Sequence, residues 1–107
     1  MVKVVINKNR SGDIYAFCAQ GHAGGEYGTD IHCAAISAIL QTAVIGLCDY
    51  AGIKAEVSVE DGYLECEISP QDAHSESARA ITETMLLGLK AFRTENKRHI
   101  KLIEEVL

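Results

Sequence analysis

The sequence lacks an excess of positive charge: 10 lysines and arginines stand against 15 aspartates and glutamates, a net charge of −5 over 107 residues. Direct nucleic-acid binding calls for a basic face, so this balance argues against it. No C-x-x-C pair occurs among the four cysteines, Cys18, Cys33, Cys48 and Cys66, which removes the usual paired-ligand zinc patterns. A long unbroken apolar run is missing too. The longest, Cys33 to Cys48, is interrupted by Ser37, Gln41 and Thr42 and falls short of the roughly 20 residues that a bilayer crossing takes. Met1 to Lys8 has no basic-then-apolar-then-small leader pattern. With no internal repeat and no linker, the expectation is one domain over 1–107, cytoplasmic, off the membrane, with its thiols reduced.

What is present suits a packed core: 48% hydrophobic and 23% charged residues. Val2, Val4 and Ile6 fall at strand period, Ser11-Gly12-Asp13 supplies a turn, and Ile14 to Ala19 resumes as a second strand. Gly21 to Asp30 holds four glycines and reads as a loop. A long helix follows from Ile31 to about Tyr50 and stops at Gly52. Asp61-Gly62 joins two strands over 54–60 and 62–68, with Val57, Val59, Leu64, Cys66 and Ile68 on one apolar face. Beyond Pro70, a second helix over about 71–94 carries Ile81, Met85, Leu89 and Phe92, and Ile100 to Val106 forms a last strand. The order ββαββαβ predicts an α+β fold in two layers, one sheet with two long helices packed on it.

The first helix is apolar almost all round, from Ala34, Ala35 and Ile36 through Ile39 and Leu40 to Val44, Ile45 and Leu47. Leu86 and Leu87 widen the apolar face of the second. A helix of that kind wants burial on most sides, so a homodimer with helices at its interface is expected.

Chemistry concentrates in Gly21-His22-Ala23-Gly24-Gly25-Glu26-Tyr27-Gly28-Thr29-Asp30-Ile31-His32-Cys33. With Asp30 as N-cap, Cys33 lies in the first helical turn, where the positive end of the helix dipole favours a thiolate over a thiol. His22 ends the preceding strand and can face Cys33 across the mouth of the loop. A base beside an activated thiol is the minimal apparatus of acyl transfer, and backbone N–H groups at the helix start can hold an oxyanion. Asp30 has a competing use, orienting His22; its charge also opposes a thiolate nearby. The spacing gives neither G-x-G-x-x-G nor a P-loop, and Glu26 and Asp30 would repel a phosphate. A metal site from His22, His32 and Cys33 matches no zinc spacing, so neither metal nor cofactor is expected. His32 points about 100° from Cys33 and is the poorer base. Cys18, Cys48 and Cys66 read as packing residues, and His74 and His99, among surface-like neighbours, receive no role. Two non-proteolytic readings compete, a non-catalytic dimeric binding module and a redox-sensing thiol.

These residues also carry a resemblance. Gly21-His22-Ala23, then Gly28 and Asp30, then Cys33-Ala34-Ala35-Ile36-Ser37, with the later Gly62-Tyr63-Leu64, are similar to the ribosomal-processing cysteine proteases, the Prp (YsxB-like) family. The resemblance implies a homodimeric cysteine endopeptidase that removes a short N-terminal extension from a large-subunit ribosomal protein. It places the catalytic histidine on His22 and the nucleophile on Cys33. Ser37 would support the site, and Ala23, Gly24, Gly25, Glu26, Tyr27, Gly28 and Thr29 would form a substrate-binding loop. A phenylalanine at the substrate's cleavage junction would require an apolar recess near Cys33. The sequence departs from the family pattern at His32, usually aliphatic, and at Asn96-Lys97-Arg98-His99, where Tyr-Pro is common.

Overall fold

Alternating valines and isoleucines build the first strand, β1 (Val2–Lys8), with Val2, Val4 and Ile6 buried. The turn after it is held by Asn9, whose Oδ1 accepts the N–H groups of Ser11 and Asp13, both at 3.0 Å. β2 (Ile14–Gln20) returns antiparallel to β1. The computed structural model describes residues 1–21 and 31–107. Helix α1 (Ile31–Ile45) runs on without a break into a π-helical turn, Gly46–Tyr50, closed by Ala51 N–H donating to the Gly46 carbonyl at 2.9 Å. Gly52, at φ +67°, ends the run as the sequence predicts.

β3 (Glu56–Glu60) and β4 (Tyr63–Glu67) pair across Asp61-Gly62, and the final strand, β5 (Ile100–Val106), lies parallel to β1. The sheet order is β3-β4-β2-β1-β5. The helices cover one face of it, and the core between the layers joins Val4, Ile6, Phe17 and Leu64 to Ile36, Leu40, Leu47 and Leu89. The predicted α+β two-layer fold, with the order ββαββαβ, is therefore observed.

Three expectations need correction. The second helix does not run unbroken from 71 to 94. One turn, α2 (Pro70–Ala73), is capped by Ser69, and α3 (Glu76–Glu95) begins afresh after Ser75. Ser75 Oγ accepts the Ala78 N–H at 3.3 Å and donates to the Asp72 carbonyl at 2.7 Å, so one hydroxyl closes one helix and opens the next. The apolar face of the β3–β4 hairpin is buried only in part. Leu64 and Cys66 are buried, whereas Val57 and Val59 on the edge strand are 41% and 55% exposed. The apolar helix is also longer than the Cys33–Cys48 stretch: Ile31–Tyr50 has 20 residues and the length and composition of a bilayer span. Here its buried residues, Ile36, Leu40, Ala43 and Leu47, make it the core helix of the sheet.

Two histidines given no role tie elements together. His74 Nδ1 sits 2.7 Å from Oδ2 of buried Asp13, joining the β1–β2 turn to the α2–α3 junction. His99 stacks on His32, ring centroids 3.6 Å apart and 10° from parallel.

Candidate active site

Cys33 stands in the first turn of α1, half-buried against the core. One turn on, Ser37 lies on the same flank, its Oγ accepting from Gln41 Nε2 at 2.7 Å. Both line a recess of about 80 Å³ whose walls include Ala19, Leu40, Val59, Gly62 and Tyr63. Of the residues singled out from the sequence, the structure brings Cys33 and Ser37 together in this recess. His22, Asp30 and Ala23 to Thr29 lie outside the described residues.

The strand leading to His22 is pinned at its end. Gly21 N–H donates to the Gly62 carbonyl at 2.9 Å, linking β2 to the β3–β4 turn at the rim of the recess. Gly21 has φ +102°, and a Cβ there would meet the Met1 carbonyl oxygen at 2.8 Å. Glycine is thus required both by the left-handed backbone and by space. The sequence marked this residue as a loop former and as part of the Gly21-His22-Ala23 motif, without the close approach to Met1.

His32 and Cys33 diverge around the helix. The His32 ring packs between His99 and the edge of Phe92, whose centroid is 6.3 Å away, and lines a separate cleft with Thr94 to His99. This agrees with the geometric argument that His32 is the poorer base, and it explains the two departures from the family pattern together. His32 and His99 occupy positions that touch. Among the described residues, no group of three histidines, cysteines or acids is placed to hold a metal ion.

The other thiols sit in different surroundings. Cys66 is buried, and burial, with Cys48 nearby, pushes its thiol up to about 11. Cys18 is half-buried on the open face of the sheet, between Val5 and Glu65 in register rather than in the core. Burial and then the Glu65 carboxylate raise it. Both groups thus stay protonated at neutral pH. Cys48 is half-buried. Tyr63, on the recess wall, donates its hydroxyl to Glu65, and that hydrogen bond pushes the phenol up to about 12, leaving it a neutral donor. Glu60, Gln41 and Tyr63 are rim residues that the sequence did not single out for the site. They come from a turn and a helix flank that only the fold brings to Cys33.

A model of the family described as Cysteine protease Prp matches residues 1–101. The chain belongs to that family. The ribosomal processing cysteine protease Prp of Staphylococcus aureus is 31% identical over 103 residues, covering 95% of this chain and 97% of the relative. The Bacillus subtilis protein of the same name is 25% identical over 112 residues, with both chains fully covered. Among solved structures, an S. aureus Prp with a covalently linked product peptide superposes with a TM-score of 0.89 at 29% identity, covering 98% of this chain and all of that one. A second S. aureus Prp, in complex with a substrate peptide, gives 0.86 at 28% identity, with the same coverage. The fold is that of the Prp structures, and membership makes the chain a cysteine peptidase.

Proposed function

We propose that this chain is a cytoplasmic, homodimeric endopeptidase, a single domain over 1–107, that removes a short N-terminal extension from a large-subunit ribosomal protein. The observation that carries the reading is Cys33 in the first turn of α1, at the wall of an apolar recess, in a chain similar throughout to enzymes named for ribosomal processing. The recess suits an apolar side chain beside the scissile bond, and the net charge of −5 suits a basic partner, as ribosomal proteins are. The enzyme acts on the protein, with no direct role for nucleic acid, membrane, metal or cofactor.

In this reading His22 takes the proton from Cys33 Sγ, and the thiolate adds to the scissile carbonyl carbon. The positive end of the α1 dipole and its first-turn N–H groups stabilise the oxyanion. His22 then gives its proton to the leaving amine as the carbon–nitrogen bond breaks. Water, deprotonated by His22, hydrolyses the thioester and restores the thiol. Asp30 supports this arrangement as cap or as orienting partner of His22, and Ser37 supports the Cys33 flank. Ala23 to Thr29 bind the peptide.

The dimer is proposed through the opposite flank of α1. There Ala38, Ile39, Thr42 and Gly46 face Ile81, Thr84 and Gly88 of α3 across an apolar groove of about 680 Å³, and Leu87 and Ile45 are 66% and 58% exposed nearby. A patch of this kind on a soluble chain marks an association surface.

Mass spectrometry of ribosomal proteins incubated with wild type and Cys33→Ala tests the function. One cut near an N-terminus, made by wild type alone, is expected; a cut made equally by Cys33→Ala ends the reading. His22→Ala should slow alkylation of Cys33 at neutral pH, and an unchanged pH–rate profile would remove His22 from the pair.

A further inference from the structure

The edge strand β3 is guarded against other copies of itself by Glu56 and Glu60 but its backbone edge is otherwise open. All five of its residues are exposed, and no other described strand pairs with its outer side. Edge strands are ordinarily blunted by proline, a bulge or an inward-pointing charge. β3 has none of these. It pairs in unbroken register with β4, and its two helix-side residues are Val57 and Val59. The strand also leads into the active site, because Val59 and Glu60 line the recess that holds Cys33.

From these observations we infer that β3 is the docking edge for an extended, basic substrate segment, which adds to the sheet as a sixth strand and delivers its scissile bond to Cys33. The inference rests on the proteolytic reading above. Strand addition satisfies the outward backbone N–H and C=O groups of an edge and lets alternate side chains be read on opposite faces. Here the two faces differ in chemistry. Toward the helices a bound strand meets Val57, Val59 and the recess. Toward the open face it meets Glu56 and Glu60, with Glu65 and Glu67 of β4 in the next row. The segment that fits therefore alternates apolar and basic residues, apolar in phase with the recess.

The same charges disfavour a second copy as the occupant. Antiparallel pairing of two β3 strands about Ser58 would set Glu56 of each directly against Glu60 of the other, like charges at cross-strand distance. A basic peptide meets the same row with opposite sign.

The decisive measurement is peptide binding to the Cys33→Ala variant, followed by fluorescence anisotropy, so that affinity is read without cleavage. Two labelled peptides of identical composition share one phenylalanine and an alternating leucine–lysine segment. In one, leucine is in phase with the phenylalanine; in the other, lysine is, so the shift exchanges every side chain between the faces. The in-phase peptide should bind about tenfold more tightly at low salt, a preference that weakens as salt screens the contact. Adding Glu56→Lys and Glu60→Lys should abolish the preference, and N-methylation of alternate peptide amides should lower affinity further. Equal binding of both peptides, or a preference that survives charge reversal, overturns the proposal. A lower sedimentation mass for the charge-reversed protein with peptide affinity unchanged would assign the edge to a second copy and also overturn it. Wild-type cleavage of ribosomal protein is scored separately, so failure of the docking edge is told apart from failure of the proteolytic reading.

Discussion

Among the described residues, helix α1 has two flanks that no other element covers fully, and they present opposite chemistry. The flank toward the β3–β4 turn carries Cys33, Ser37 and Gln41 beside a small recess rimmed by Glu60 and Tyr63. The flank toward α3 carries Ala38, Ile39, Thr42 and Gly46 along a broad groove whose described lining holds no charged side chain. In sequence the two are superimposed as one helix apolar all round. The fold separates them: a line of buried residues, Ile36, Leu40, Ala43 and Leu47, seats the helix on the core and leaves one side for the proposed chemistry and the other for the proposed association. In the proposed reading an apolar helix answers three demands at once, and only one of them is core packing.

That division can be broken from either side. The largest effect should follow Cys33→Ala, which is expected to lower cleavage by at least about 10³-fold while leaving sedimentation mass and thermal unfolding unchanged, since loss of the proposed nucleophile is confined to the chemical step. Ile39→Glu should do the reverse. A carboxylate without a partner in the proposed interface should weaken association on the order of 100-fold or more, seen as a concentration-dependent fall in mass by analytical ultracentrifugation. Cys33 should still alkylate in the monomer. If Ile39→Glu leaves the mass unchanged, the groove is not the interface.

Gly21→Ala addresses the floor of the reactive flank. A left-handed φ and a Cβ at 2.8 Å from the Met1 carbonyl should cost about 2–4 kcal/mol, read as a lower urea midpoint with an unchanged slope. Cys66, in the core, should give a smaller effect that depends on pH. Its thiol holds its proton in the fold up to about 11 against an ordinary value of 9.0. The unfolded chain therefore ionises first, and the contribution present below pH 9 is lost as pH rises toward 11. Cys66→Ala should remove that part of the slope in a pH series of denaturant melts. Least of all, Gln41→Ala deletes one exposed hydrogen bond to Ser37 and should change stability by less than about 1 kcal/mol. A few-fold change in KM for peptide would make Gln41 part of the reactive flank.

Much of this was legible in the residues. Strand alternation located β1, β2 and β4, Asp61-Gly62 located the hairpin, and Gly52 the end of the first helix, because each signal is local and acts through backbone conformation. Cys33 could be placed at a helix start for the same reason. Where local signals compete, the reading failed. Ser75 is a cap rather than a helix interior residue, which a serine before Glu76 hinted at but apolar periodicity over 81–92 masked. Val57 and Val59 carry the pattern of a buried face, yet β3 is an edge that the helices do not reach, and burial depends on the neighbour. His74 is exposed, as its neighbours suggest, but its partner and that of His99, Asp13 and His32, lie 61 and 67 positions away in the chain and leave no local signal. Tyr63 and Glu60 join the recess by the same kind of long-range approach.

The parallel pairing of β1 with β5 bears on how the enzyme is made. Asn7 and Glu105, neighbours across that ladder, are 98 residues apart. β1 can pair with β2 as soon as the first hairpin has left the ribosome, but its other side stays an open edge until β5 has been synthesised. Long-range parallel pairing is slow, and a bare edge is open to wrong partners in the meantime. Closure of the sheet therefore waits for β5, and Val2, whose N–H donates to the His99 carbonyl at 2.9 Å, is made well before the partner that fixes it.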